Sequence, residues 1–167
     1  MILNTADSAE SRLPVRPEVR DSLRDKIRSK QARVGIIGLG YVGLPLAVEF
    51  ARSGFAVTGI DLDPGKVAQI NQGISHIADV PSAEVASFVE QKRLRASEDH
   101  RVLGEMDVVN ICVPTPLHKT KDPDLSFIAA AVAQIQMHLH PGMLIILEST
   151  TYPGTTEEVI LPRLVPG

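Results

Sequence analysis

Gly38-Leu39-Gly40-Tyr41-Val42-Gly43 stands between a short apolar run, Val34-Gly35-Ile36-Ile37, and a segment in which Leu44, Ala47, Val48 and Ala51 recur at helical spacing. Gly54 closes that segment, and a second apolar run, Ala56-Val57-Thr58-Gly59-Ile60, ends at Asp61. Strand, glycine turn, helix, strand and acid, in that order, make a G-x-G-x-x-G dinucleotide-binding unit. A glycine turn alone carries little weight; the alternative, a plain tight turn, leaves the flanking pattern unexplained. Gly38 permits the turn out of the strand, Gly40 lets backbone approach a pyrophosphate, and Gly43 lets helix and strand pack closely. The first helical turn offers unpaired N–H groups to a phosphate, and Pro45 falls where losing an N–H costs least. Asp61 follows about 20 residues on, where a carboxylate accepts the ribose hydroxyls of NAD and repels the extra phosphate of NADP. The competing reading of Asp61 is a solvated turn acid ahead of Pro64.

Outward from this unit, residues 1–14 are polar and aperiodic and are expected to form a disordered tail. In residues 17–30, Val19, Leu23 and Ile27 make a narrow apolar stripe on a charged helix, expected on the domain surface or on a partner subunit. After Asp61 the pattern predicts a helix over 64–71, with Val67 and Ile70 inward and Lys66 in its first turn, beside the expected ribose. Another helix starts at Pro81 and carries Val85, Phe88 and Val89. A strand over 94–97, a short helix over 98–106 and a near-continuous apolar strand over 107–113 follow. Pro114-Thr115-Pro116 ends that strand. The loop 117–122 holds His118, Lys119 and Lys121, and a helix is expected over 123–139. A buried strand is predicted over 143–147. Thr155 and Glu158 are spaced as a capping box for a last helix that stops near Pro162.

Strands alternating with helices argue for an α/β fold, a Rossmann-type doubly wound parallel sheet with helices on both faces. The expected division is a tail and short helix over 1–32 and a dinucleotide-binding domain over 33–167. Gly38, Asp61, Thr115 and Thr150 each follow a strand end, and such sheets bind ligands at the carboxyl ends of their strands.

The 167 residues suffice for one full core, and 44% apolar with 22% charged content is ordinary for a globular protein. A net charge of −3 gives no reason to expect nucleic acid as a partner. No run reaches bilayer length and no signal-peptide pattern opens the chain, so no membrane partner is expected. The one cysteine, Cys112, fits a reducing compartment, and the cytoplasm is the expected location.

No metal site is expected: His138 and His140 face different sides of a helix, and His76, His100 and His118 lack ligand partners at suitable spacing, so surface histidines are predicted. Cys112 lies inside an apolar run and reads as a small core hydrophobe rather than a nucleophile. Thr115 either donates its hydroxyl to a cofactor or is a turn residue held between prolines. Ser149 to Thr151 either serve as turn and cap groups or face the cofactor; the density of hydroxyls at the rim favours function for Thr150.

Val34 to Leu46, Gly59 to Lys66, Val113 to Leu117, Pro123 to Phe127 and Glu148 to Glu157 together resemble the N-terminal domain of the UDP-glucose/GDP-mannose dehydrogenase family, from about Arg33 to Leu161. Val113-Pro114-Thr115-Pro116-Leu117 and Glu148-Ser149-Thr150-Thr151-Tyr152-Pro153-Gly154 are most similar to the UDP-N-acetylglucosamine 6-dehydrogenase branch, with UDP-N-acetylmannosamine dehydrogenases close by. The resemblance implies NAD-dependent, two-step oxidation of a sugar 6-hydroxyl to a carboxylate. It implies that Gly38, Leu39, Gly40, Tyr41, Val42 and Gly43 hold the pyrophosphate and that Asp61, with Lys66, takes the ribose. Val113, Pro114 and Thr115 would line the cofactor site. Ser149 and Thr150 would approach the nicotinamide, Thr150 ordering a catalytic water. The family's catalytic cysteine, lysine and asparagine lie beyond these blocks, and Cys112 sits in the wrong block to replace that cysteine. The resemblance therefore implies the cofactor half of a UDP-sugar enzyme, homo-oligomeric at full length and inactive as this fragment. The other readings are a 6-phosphogluconate or hydroxyacyl-CoA type dehydrogenase, and a stand-alone nucleotide-binding module.

Overall fold

The computed structural model describes residues 16–116 and 123–164. Five parallel strands, β1 (Arg33–Ile37), β2 (Ala56–Ile60), β3 (Leu94–Ser97), β4 (Val108–Ile111) and β5 (Leu144–Leu147), form one sheet in the order β3-β2-β1-β4-β5. The helices are α1 (Pro17–Arg28), α2 (Gly43–Arg52), α3 (Pro64–Asn71), α4 (Ser82–Glu90), α5 (Ser126–His138) and α6 (Leu161–Leu164). A 3₁₀ turn spans His100–Glu105, and a π-helical turn spans Thr156–Ile160.

Two apolar layers sandwich the sheet because strand side chains alternate in direction. Val34, Ile36, Val57 and Val108 face one layer with Leu44, Val48, Ile70 and Val85 from α2, α3 and α4. Ile37, Ile60, Val109 and Ile111 face the other with Ile128, Val132 and Ile135 of α5. The near-continuous apolar runs of β1 and β4 thus have cover on both faces, as parallel strands require.

The strand ends are level. Ile37 pairs with both Ile60 and Ile111, Ile60 with Ser97, and Ile111 with Leu147. The segments that follow Ile37, Ile60, Ile111 and Leu147 therefore leave from one rim. At the opposite end, α1 lies across the starts of the strands. Leu23 packs on the core, Lys26 Nζ lies 2.6 Å from Asp107 Oδ1, and the Arg33 N–H donates to Asp107 Oδ2 at 2.9 Å. Burial alone would raise the Asp107 carboxyl, but the Lys26 ammonium and the Arg33 N–H outweigh it and hold it below its ordinary value. Leu23 of the stripe thus docks on the chain's own core, while Ile27 stays exposed.

Several expectations are corrected. The Thr155–Glu158 capping box does not form: Thr155 is buried and donates its Oγ1 to the Tyr152 carbonyl at 2.8 Å, so a π turn opens the last helix. The strand expected to be buried, β5, is only partly so, with Leu144 40% exposed, because it is an edge of the sheet. The short helix expected over 98–106 is a 3₁₀ turn over His100–Glu105, and α5 starts at Ser126 rather than at residue 123. The tail 1–14 and the loop 117–122 lie outside the described residues. At the other edge, the Asn71 amide donates to Ala96 O at 3.0 Å and accepts from Ala96 N at 2.8 Å, covering part of β3.

Candidate functional site

The turn after β1 explains two of its three glycines by packing. Gly38 has φ +92, and a Cβ there would sit 2.7 Å from the Cys112 carbonyl oxygen. A Cβ on Gly43 would lie 1.7 Å from Gly38 O, so α2 can start there only without a side chain. Gly40 differs: a Cβ built on it meets nothing within 4 Å. Nothing among the described residues asks for glycine at this position. The open space at this position, next to the start of α2, fits a phosphate-bearing ligand.

Leu39 is wholly buried, with its side chain seated where Gly59 lacks a Cβ, 2.5 Å from the ideal Cβ position. Tyr41 and Val42 stand out from the turn, 83% and 54% exposed. Asp61 closes onto the same turn from the end of β2. Its Oδ2 accepts the Leu39 N–H at 2.8 Å and its Oδ1 accepts the Asp63 N–H at 3.0 Å, while Lys66 Nζ lies 3.6 Å from Oδ2. Asp61 is thus no solvated turn acid, since its carboxylate is fixed and keeps lone pairs for further donors. Asp63 caps α3 through the Gly65 and Lys66 N–H groups.

Across the rim, Val113 and Thr115 are half-buried and Pro114 is exposed in the loop after β4. Ser149 donates its Oγ to Val113 O at 2.8 Å, tying the loops after β4 and β5 together. Its hydroxyl hydrogen is therefore engaged within the protein, while Thr150 is exposed beside it. Cys112 lies beneath the glycine turn. Burial, with the Glu148 carboxylate adding to it, pushes its thiol up to about 12.

Two residues near the site were not among those expected there. Leu62 follows Asp61 with its side chain 79% exposed, and its position next to the acid was the only available signal. His76, expected as a surface histidine, is half-buried with Nε2 2.7 Å from Leu39 O. No local pattern joins it to a turn 37 residues away. His140 is likewise bonded to backbone, with Nε2 2.9 Å from Met106 O at the far end of the sheet. His118 lies outside the described residues. Among the described residues, no group of three or more His, Cys, Asp or Glu side chains is placed to hold a metal, and no helix is long and apolar enough to cross a membrane.

Comparison with known proteins agrees with this geometry. The chain is 40% identical over 135 residues to a UDP-N-acetyl-D-glucosamine 6-dehydrogenase of Pseudomonas aeruginosa, covering 81% of this chain and 31% of that protein. It is 37% identical over 128 residues to a UDP-N-acetyl-D-mannosamine dehydrogenase of Pyrococcus horikoshii, covering 76% and 30%. The chain thus spans about a third or less of the length of these curated relatives. Among solved structures, a ternary complex of GDP-mannose dehydrogenase from Pseudomonas aeruginosa superposes with TM-score 0.75 at 33% identity, covering 79% of this chain and 31% of that one. The description of the NAD binding domain of the UDP-glucose/GDP-mannose dehydrogenase family matches residues 32–165. By a match over this much of its length, the chain belongs to the UDP-glucose/GDP-mannose dehydrogenase family and carries its NAD-binding fold.

Proposed function

We propose that residues 33–167 are the NAD-binding half of a nucleotide-sugar 6-dehydrogenase that oxidises a UDP-N-acetylhexosamine to its uronic acid, with residues 1–32 as a tail and an auxiliary helix. The observation that carries the cofactor site is Gly40, a glycine that the protein's own packing does not require, beside the fixed carboxylate of Asp61. The sugar class follows from the names of the relatives.

In this reading the backbone from Gly38 to Gly43 holds the pyrophosphate, and Asp61 accepts the ribose hydroxyls with Lys66 alongside. NAD supplies the hydride acceptor, which no side chain here can replace. Val113, Pro114 and Thr115 wall the site. Ser149 keeps that wall in register with the end of β5, and the Thr150 hydroxyl orders a water at the rim. Cys112 takes no part, since a thiol pushed up to about 12 is not a nucleophile near neutral pH. The full-length protein is proposed to be cytoplasmic and homo-oligomeric, with most of the sugar site outside this half.

The purified chain is expected to bind NAD but to produce no NADH with UDP-N-acetylglucosamine, UDP-N-acetylmannosamine or UDP-glucose. Binding without a positioned substrate forgoes proximity worth up to about 7–11 kcal/mol. Turnover that disappears on Cys112→Ser would contradict the assignment.

A further inference from the structure

The loop between α3 and α4 reaches the backbone of the glycine turn through the His76 side chain. His76 Nε2 lies 2.7 Å from the Leu39 carbonyl oxygen. A carbonyl only accepts, so the imidazole donates from Nε2. In the neutral ring this leaves Nδ1 unprotonated, and Nδ1 is buried without a partner among the described residues. The Nε2–H is thus committed to the turn.

The consequence follows from peptide geometry. The Leu39 carbonyl and the Gly40 N–H belong to one planar trans peptide and point in opposite directions. Holding the oxygen towards the α3–α4 loop therefore aims the Gly40 N–H away from that loop. Asp61 fixes the preceding peptide plane by accepting the Leu39 N–H at 2.8 Å. The buried Leu39 side chain locks the residue between these two holds. The loop is braced in turn: the Ser75 N–H donates to Ser82 Oγ at 3.0 Å, Ser75 Oγ donates to Ile77 O at 3.0 Å, and Ile77 is buried in the core.

We propose that His76 is a positioning residue for the dinucleotide, orienting the Gly40 N–H towards the pyrophosphate through the Leu39 carbonyl. This rests on the NAD reading above. His76 touches the turn and acts on the ligand only through it.

Calorimetric titration of the chain and two variants tests the role, with folding followed by circular dichroism. His76→Phe keeps a planar ring but lacks the donor, and is expected to bind NAD about tenfold more weakly, the loss of one hydrogen bond. His76→Gln, whose amide can donate to the same carbonyl, is expected to stay within about twofold of the parent. ADP should weaken in parallel with NAD, while adenosine, which lacks the pyrophosphate, should not. Equal NAD affinity in His76→Phe, or an equal loss for adenosine, would overturn the positioning role while leaving the NAD site standing. Failure of the parent chain to bind NAD would sink the NAD reading and this proposal together. Should His76→Phe fail to fold, a long-range ¹H–¹⁵N spectrum of the parent decides: the Nε2–H tautomer supports the role, and the Nδ1–H tautomer contradicts it.

Discussion

Gly38 and Gly40 share a residue type and answer to different constraints, and substitution separates them. Gly38→Ala forces a side chain into φ +92 and against the Cys112 carbonyl, so it should lower folding stability by about 1–3 kcal/mol, read as an earlier thermal transition. Gly40→Val adds its side chain where the protein has room, so the thermal transition should hold while NAD affinity falls by more than about a hundredfold. A Gly40→Val chain that binds NAD normally would mean the turn is structural only. Cys112 yields a second outcome at this scale. Its thiol is pushed up to about 12, so native chain at neutral pH should react with iodoacetamide about a thousandfold more slowly than unfolded chain. Rapid labelling of native protein would show that the turn does not shield it.

Among the elements, α1 is tied to the sheet by Leu23 and by one carboxylate, that of Asp107. Asp107 has a folded value below its unfolded one, so its contribution is present above the unfolded carboxylate range and is lost as pH falls through the folded value. Asp107→Asn should remove about 1 kcal/mol at neutral pH and flatten the acid limb of a stability–pH profile, since Lys26 and the Arg33 N–H lose their charged acceptor. An unchanged acid limb would contradict this. Part of the fold was legible in the sequence: α3 falls on the residues that the spacing predicts, a strand forms over the expected 94–97, and the glycine turn meets Asp61 at the rim through the Leu39 N–H. The misses have physical causes. A capping box needs Thr155 to face helix N–H groups, and here tertiary packing turns its hydroxyl to the Tyr152 carbonyl. Apolar content marked β5 as a strand but could not say that it would be an edge. His76 reaches Leu39 only through the fold, by a contact with no spacing signature.

At the scale of the molecule, the 3-2-1-4-5 strand order and the level strand ends bring the glycine turn, Asp61, the Val113–Thr115 loop and Thr150 to one rim, with α1 at the opposite end. The partly exposed strand β5 leaves one side of the sheet unpaired among the described residues, an edge on which other chain can add. Calorimetric titration of this chain with NAD and NADP in turn tests the proposed NAD site beside the Asp61 carboxylate. NAD should bind, and NADP, whose ribose phosphate would face a fixed carboxylate, should bind at least about tenfold more weakly. Equal or tighter binding of NADP would contradict it.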